Sequence, residues 1–270
     1  MDNFRINFAD ICIGDPAWQP HIAAELRDYG LATFAGIADR AALIAVARRL
    51  MRIRAHRDAA PDGVTKITDM GGDACGYAAF TDSGLIPHTD GSGVPNPPGL
   101  LLLTCVQPAE EGGATQVVDG AQIIATLARK HPAALRSLSA PRAAFFGGAD
   151  GCPGSVFEPV GPDRTRIRLR LDDLVRFSPD AAAVIPLLRT VLSRHLNTLH
   201  LEPGDAVLLC NTRWLHGRQA FDGRRVMLRI LGDPLPNTGV LPGFPTPGIP
   251  SRRYAEVPDS GVGDLASRMV

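Results

Sequence analysis

The sequence predicts a mainly β protein with flanking helices, folded as a double-stranded β-helix, the jelly roll. Three observations carry this. Short apolar runs recur through the middle of the chain, separated by Gly, Pro, Asn and Asp clusters. Helical periodicity is confined to the start of the chain and to a few segments between those runs, the longest just ahead of residue 200. Gly and Pro are abundant, 28 and 23 of 270 residues, which suits a fold with many turns.

Taken in order, Asp15-Pro16 is a helix start, and the helix runs to Tyr29 and stops at Gly30. Leu31 to Phe34 is a strand. Asp39 caps a second helix, Arg40 to about Arg54, whose Arg48, Arg49, Arg52 and Arg54 form a solvated face. Val64 to Met70 is a strand, and Gly71 to Ser83 is a loop in which Tyr77 and Phe80 either contact a substrate or pack the loop tip. Leu100 to Val106 is a continuous apolar run and reads as a buried strand; Thr115 to Val118 is the next. Asp119 caps a helix, Gln122 to Arg129, and Pro132 to Leu138 is a second. Short strands follow near Arg142–Phe146, Ser155–Pro159 and Arg166–Leu171, the last with its arginines toward solvent or, for one of them, a cavity. Asp180 to about Asn197 is the best helix, with Pro186 able to kink it or shift its start. Ala206 to Cys210 is a buried strand. From Pro234 onward the chain reads as an irregular tail.

Composition narrows the function. Lys+Arg and Asp+Glu balance at 28 each, which argues against nucleic-acid and membrane-surface binding. No apolar run approaches the roughly 20 residues that span a bilayer, and the N-terminus lacks a signal pattern. The five cysteines, Cys12, Cys75, Cys105, Cys152 and Cys210, are scattered without a CxxC pair. That fits reduced thiols of a cytoplasmic protein.

The chemistry lies in two stretches, Pro87-His88-Thr89-Asp90-Gly91 and Asn211-Thr212-Arg213-Trp214-Leu215-His216-Gly217-Arg218. On an extended strand residues i and i+2 share a face, so His88 and Asp90 can address one point. With His216 they make two imidazoles and a carboxylate, the set that holds non-haem Fe(II) on one side and leaves the other open. Asp222-Gly223 between apolar runs signals a two-residue hairpin. In a regular hairpin Ala220 pairs with Arg225 and His216 with Arg229. His216, Arg225 and Arg229 would then share one face. His21, His56, His131 and His195 read as surface residues and His200 as structural.

These motifs, together with Pro97-Pro98-Gly99, Glu111-Gly112-Gly113-Ala114-Thr115 and Val118-Asp119-Gly120, occur in an order that resembles the taurine dioxygenase / γ-butyrobetaine hydroxylase family of Fe(II)- and 2-oxoglutarate-dependent oxygenases. The resemblance covers about residues 85 to 232. It implies iron held by His88, Asp90 and His216, with 2-oxoglutarate and O2 as cosubstrates. It implies that Thr115 contacts 2-oxoglutarate and that Arg225 pairs with its distal carboxylate, a task suited to a bidentate guanidinium. Arg229 matches a position that serves either an anionic group of the prime substrate or 2-oxoglutarate itself. Halogenases of this type have Gly or Ala at the carboxylate, so Asp90 implies hydroxylation or a related oxidation.

The expectation is therefore one oxygenase domain over residues 1–270, with N-terminal helices at 16–54, a core at about 64–232 and a tail at 234–270. Its partner is a small polar substrate, carboxylate- or amino-acid-like, with Arg213 and Arg218 as further anion contacts unless they are structural. Desaturation, epoxidation and cyclisation share the same oxidising step, and a homo-oligomer is permitted. The 6% aromatic content gives no cage for a quaternary ammonium. The competing class is a non-oxidising, cupin-like metal protein, which uses more histidines and does not need the paired arginines.

Overall fold

The computed structural model describes residues 17–71 and 78–247. Asp15, Pro16, Tyr77, Cys12, Cys75 and the last part of the tail lie outside them. The chain opens with α1 (Trp18–Asp28), β1 (Leu31–Phe34), α2 (Arg40–Leu50), β2 (Met51–Ile53) and β3 (Val64–Ile67). It continues through β4 (Leu85–His88), β5 (Leu100–Gln107), β6 (Glu111–Gly112) and β7 (Thr115–Asp119) to α3 (Gly120–Lys130) and α4 (Pro132–Ser139). Five short strands follow: β8 (Ala144–Phe146), β9 (Cys152–Gly154), β10 (Phe157–Pro159), β11 (Arg164–Ile167) and β12 (Val175–Phe177). Then come α5 (Pro179–Arg194), β13 (Asn197–Leu199), β14 (Ala206–Cys210), β15 (Trp214–Arg218), β16 (Phe221–Asp222), β17 (Val226–Pro234) and β18 (Phe244–Pro245).

Local chemistry sets the helix ends. The Asp39 carboxylate accepts from Ala42 N, Asp119 from Ala121 N, and the Ser178 hydroxyl from Ala181 N, each satisfying an orphan donor of a first turn. Helix α5 begins at Pro179 and runs through Pro186. Gly30 closes α1 at φ +70°, and a Cβ there would lie 2.7 Å from Arg213 Cδ, so the position excludes other residues twice over. Helix α2 stops at Leu50, short of the expected Arg54. Met51 turns extended and pairs with Pro234, because the edge of β17 offers unpaired backbone there.

Two sheets face each other. The larger has the order β1-β14-β5-β17-β2, with β3 also on β17; the smaller is β13-β7-β15-β4. Alternation along each strand feeds separate cores. Leu101, Leu103, Cys105, Val117, Trp214, Met227 and Leu231 fill the space between the sheets. Leu102, Leu208 and Ile230 point the other way, onto Leu26, Leu43 and Leu50 of α1 and α2. Val118 and Leu215 pack under α3, α4 and α5 with Leu127, Leu138 and Leu188. Both faces of β5 and β14 are thus covered, which is why their sequences read as unbroken apolar runs. The architecture is the expected jelly roll with helical buttresses. Among the described residues no helix is long and apolar enough to cross a membrane.

One local expectation is overturned, and a second is decided in favour of its alternative. The His216–Arg229 hairpin does not form: β15 pairs with β7 and β4 in the smaller sheet, while β17 pairs with β5, β3 and β2 in the larger. The Asp222-Gly223 turn instead carries the chain between sheets, and Phe221–Asp222 pairs with Glu111–Gly112. Turn chemistry is the same for a hairpin and a crossover, and β5 offers β17 a long ladder with both faces covered. The second case is the Arg166–Arg170 alternation. The strand ends at Ile167, and Arg168 is buried at 2% exposure. Its guanidinium donates to Glu158, to the carbonyls of Ser92, Val94 and Pro95, and to Cys152 Sγ.

Leu208 is fully buried between β14 and the N-terminal helices. Leu208→Ala is expected to lower unfolding stability by about 2–5 kcal/mol, the usual range for a buried Leu-to-Ala cavity, read from the urea midpoint at unchanged m-value.

Candidate active site

Strand β4 ends on His88, directly opposite His216 of β15. Their rings lie 4.5 Å apart between centroids. Such close approach of the two strands requires Gly217, since a Cβ there would lie 2.3 Å from Leu85 O. The chain leaves β4 through Thr89, whose N–H donates to Leu169 O and whose hydroxyl accepts from Leu169 N. Asp90 then turns its carboxylate under the imidazoles. Oδ1 is 3.5 Å from His88 Nε2 and 3.8 Å from His216 Nε2. One donor atom from each of His88, Asp90 and His216 falls within 4.8 Å of the others, a spacing that could hold a metal ion.

The backbone of Asp90 is held by a side chain. Asn211, 1% exposed, accepts from Asp90 N at 2.8 Å and donates to Asp90 O at 2.9 Å and to Pro98 O at 2.8 Å. His88 Nδ1 lies 3.0 Å from Ile86 O. A proton on that nitrogen leaves Nε2 with its lone pair toward the cluster.

The electrostatics suit ligation. Burial pushes the Asp90 carboxyl up, but Arg229, His216 and His88 outweigh it and hold it well below the usual carboxylate range. Burial, reinforced by His88 and Arg229, pushes the His216 imidazole down to about 3. A carboxylate and a neutral imidazole are the protonation states a metal needs. The donor set also fits iron better than a closed zinc site: two nitrogens and one oxygen, all on one side.

A second constellation lies along the same ladder. Thr115 is opposite Arg218 on the ladder where Val117 is opposite His216, so it stands two residues along the same face. That step is about 7 Å on a strand. Its hydroxyl is buried with no partner. Thr115 lines a cavity of about 420 Å³ with Arg225, Gly113, Cys105 and His200. Arg225 is 5% exposed, donates from Nε to Gly113 O and stacks on Phe221. Among the described residues it forms no ion pair with a carboxylate. Burial and then the charge of Arg218 push its guanidinium down to about 10. A buried guanidinium and an unpartnered hydroxyl that line one cavity could together take an anion; Glu110 and Glu202 line the same cavity.

The other arginines are committed elsewhere. Arg213 grips both oxygens of Asp119 and donates to Asp28 O. Arg218 donates to the carbonyls of Ala79, Thr81 and Ser83 and lies over Phe221. Both therefore brace the fold. Arg229 donates from Nη1 to Asp90 Oδ2 at 2.9 Å. Phe80 packs in the inter-sheet core, the packing reading of that loop. Of the remaining histidines, His195 contacts the Thr126 hydroxyl at 2.9 Å. His56 is half-buried in the loop between β2 and β3. Burial and then the Arg229 charge push its imidazole down, so it sits within reach of the cluster's field. Sequence reading missed the role of Asn211. Its contacts, with Asp90 and Pro98, lie more than a hundred residues away in the chain, and no local pattern marks it.

Fold and cluster together define a jelly-roll protein with a two-histidine, one-carboxylate centre. Residues 5–231 match the taurine catabolism dioxygenase TauD, TfdA family, and the chain belongs to that family. It is similar to gamma-butyrobetaine dioxygenase of Homo sapiens, 29% identical over 170 residues, which are 57% of this chain and 44% of that protein. The chain thus spans less than half the length of that relative. Its fold resembles asparagine oxygenase solved with Fe(II), 2S,3S-3-hydroxyasparagine and succinate, with a TM-score of 0.63 at 15% identity over 81% of this chain and 80% of that one. It also resembles the non-heme iron oxygenase OrfP solved with Fe and alpha-ketoglutaric acid, with a TM-score of 0.60 at 16% identity over 83% and 86% of the two chains.

Replacing Asn211 by Ala removes the clamp on the Asp90 backbone without touching a donor atom of the cluster. Asn211→Ala is expected to weaken Co(II) binding by about 10–100-fold, the usual effect of removing a group that orients a metal ligand. Calorimetric titration of the wild type and the variant with Co(II) checks this.

Proposed function

We propose that the protein is an Fe(II)- and 2-oxoglutarate-dependent dioxygenase that hydroxylates an unactivated C–H of a small polar metabolite, carboxylate- or amino-acid-like. The reading takes residues 1–270 as one oxygenase domain working in the cytoplasm. The observation that carries it is the pairing of two constellations in one interior. One is the His88–Asp90–His216 cluster; the other is the unpartnered Thr115 hydroxyl, about 7 Å along β7 from Val117, the ladder partner of His216, with Arg225 lining the same cavity as Thr115. A short dicarboxylate spans that interval.

In this reading His88, Asp90 and His216 hold Fe(II). When bound, Fe(II) with 2-oxoglutarate and O2 supplies the oxidising power for C–H cleavage, and 2-oxoglutarate leaves as succinate and CO2. The chain's own residues do the rest. Arg225 and Thr115 bind and orient the distal carboxylate, Arg225 by charge and Thr115 by its hydroxyl. The apolar residues between the sheets, Leu103, Val117 and Trp214 among them, exclude water from the space. Arg229 keeps its buried Nε free for an acceptor on a bound acid.

For the substrate class, support comes from the similar proteins. One structure holds 3-hydroxyasparagine, and another OrfP structure holds (3S)-hydroxy-L-Arg. The low aromatic content of this chain supports an amino acid over a quaternary ammonium such as γ-butyrobetaine.

The test is succinate release from 2-oxoglutarate, with Fe(II) and ascorbate, across a panel of amino acids and small carboxylates. Wild-type protein is expected to turn over and Asp90→Ala to lose hydroxylation. Full activity in that variant overturns the ligand set. Arg225→Gln is expected to raise the apparent KM for 2-oxoglutarate by about 10–100-fold, because hydrogen bonds to charged groups contribute about 1.5–3 kcal/mol.

A further inference from the structure

The two oxygens of Asp90 have different partners. Oδ1 faces the imidazole nitrogens of His88 and His216. Oδ2 accepts from Arg229 Nη1 at 2.9 Å. Arg229 reaches it from the opposite sheet, out of β17, where Leu103 and Thr65 flank it on the neighbouring strands. Both partners are buried, Asp90 at 7% and Arg229 at 7% exposure.

The geometry is not that of a simple counter-ion. A guanidinium that only neutralises a buried carboxylate finds its best arrangement fork to fork, with two parallel bonds. Here a single bond forms, Oδ1 is turned away from the guanidinium, and Arg229 Nε is left buried with no partner. The Asp90 peptide is already pinned at both N and O by Asn211, so its carboxylate has only its side-chain torsions left. The bond to Oδ2 removes that freedom.

We infer that Arg229 is a positioning residue that restricts Asp90 to a single coordinating oxygen, holding Oδ2 off the metal. This rests on the metal-centre reading above. Carboxylates ligate metals through one oxygen or both. A six-position metal held by three single-atom ligands keeps three positions for small molecules. A second oxygen from Asp90 would close one of them.

Mn(II) bound to the protein reports this through the number of exchangeable waters it holds, counted by water-proton relaxation. Arg229→Met removes the donor at similar length and is expected to hold Mn(II) with one exchangeable water fewer than wild type. Arg229→Lys keeps a charged donor and is expected to restore the wild-type number. An Arg229→Met protein that binds Mn(II) with the wild-type number of waters overturns the inference. The wild type alone gives a second measure that does not depend on the variant folding. Infrared difference spectra, Zn(II)-loaded against metal-free, are expected to show the wide carboxylate splitting of single-oxygen ligation, and a narrow, chelate-type splitting overturns the inference. If wild type binds no Mn(II), or binds it as well as Asp90→Ala does, the metal-centre reading falls first and this inference with it.

Discussion

The structure depends on keeping one buried carboxylate charged in one orientation. Burying an unpaired carboxylate costs several kcal/mol even after relaxation, and Asp90 is 7% exposed between two sheets. The fold meets that cost from several directions. Arg229 approaches from the larger sheet, His88 and His216 from the smaller, and Asn211 holds the peptide from the turn after β14. None of these residues neighbours another in sequence. The jelly roll brings them together because its two sheets face each other across a gap a few side chains deep.

The same constraint explains the bracing around the site. The loop after Asp90 is gripped by Arg168 through the carbonyls of Ser92, Val94 and Pro95, and by Arg54 through Asn96 O. Arg218 gathers the carbonyls of residues 79–83 ahead of β4. Each guanidinium acts as a staple on irregular backbone, and the buried ones, Arg168 and Arg218, satisfy several carbonyls at once. Arg225 is equally buried and, like Arg218, pairs with no carboxylate among the described residues, but its hydrogen bond goes to one carbonyl, Gly113 O. Arg225 shares a cavity with the unpartnered Thr115 hydroxyl.

Much of this was legible in the chain. Strand and helix positions followed from periodicity and caps, as at Leu31–Phe34, Asp39 and Asp119. The metal-type residues were legible from His88-Thr89-Asp90 and His216. His216 and Arg229 meet, but not by the route that the hairpin pattern implies. They do converge on Asp90, but from different sheets, not across a hairpin. The Arg166–Arg170 alternation left open whether one arginine faces inward, for a related reason. Period-two patterning says which residues share a face but not whether that face is covered, and Arg168 is covered by the loop after Asp90.

By itself, then, the sequence determined which residue types carry the chemistry, which segments are strands and helices, and the family to which the chain belongs. These are local or ordered properties, written in spacing and composition. Only the tertiary structure decided which arginines staple loop carbonyls, which one holds Asp90, and that an asparagine clamps its backbone. Those assignments depend on partners more than a hundred residues away, as Asn211 and Arg229 are from Asp90. Side chains of the same type, at similar burial, take their roles from what the opposite sheet places against them.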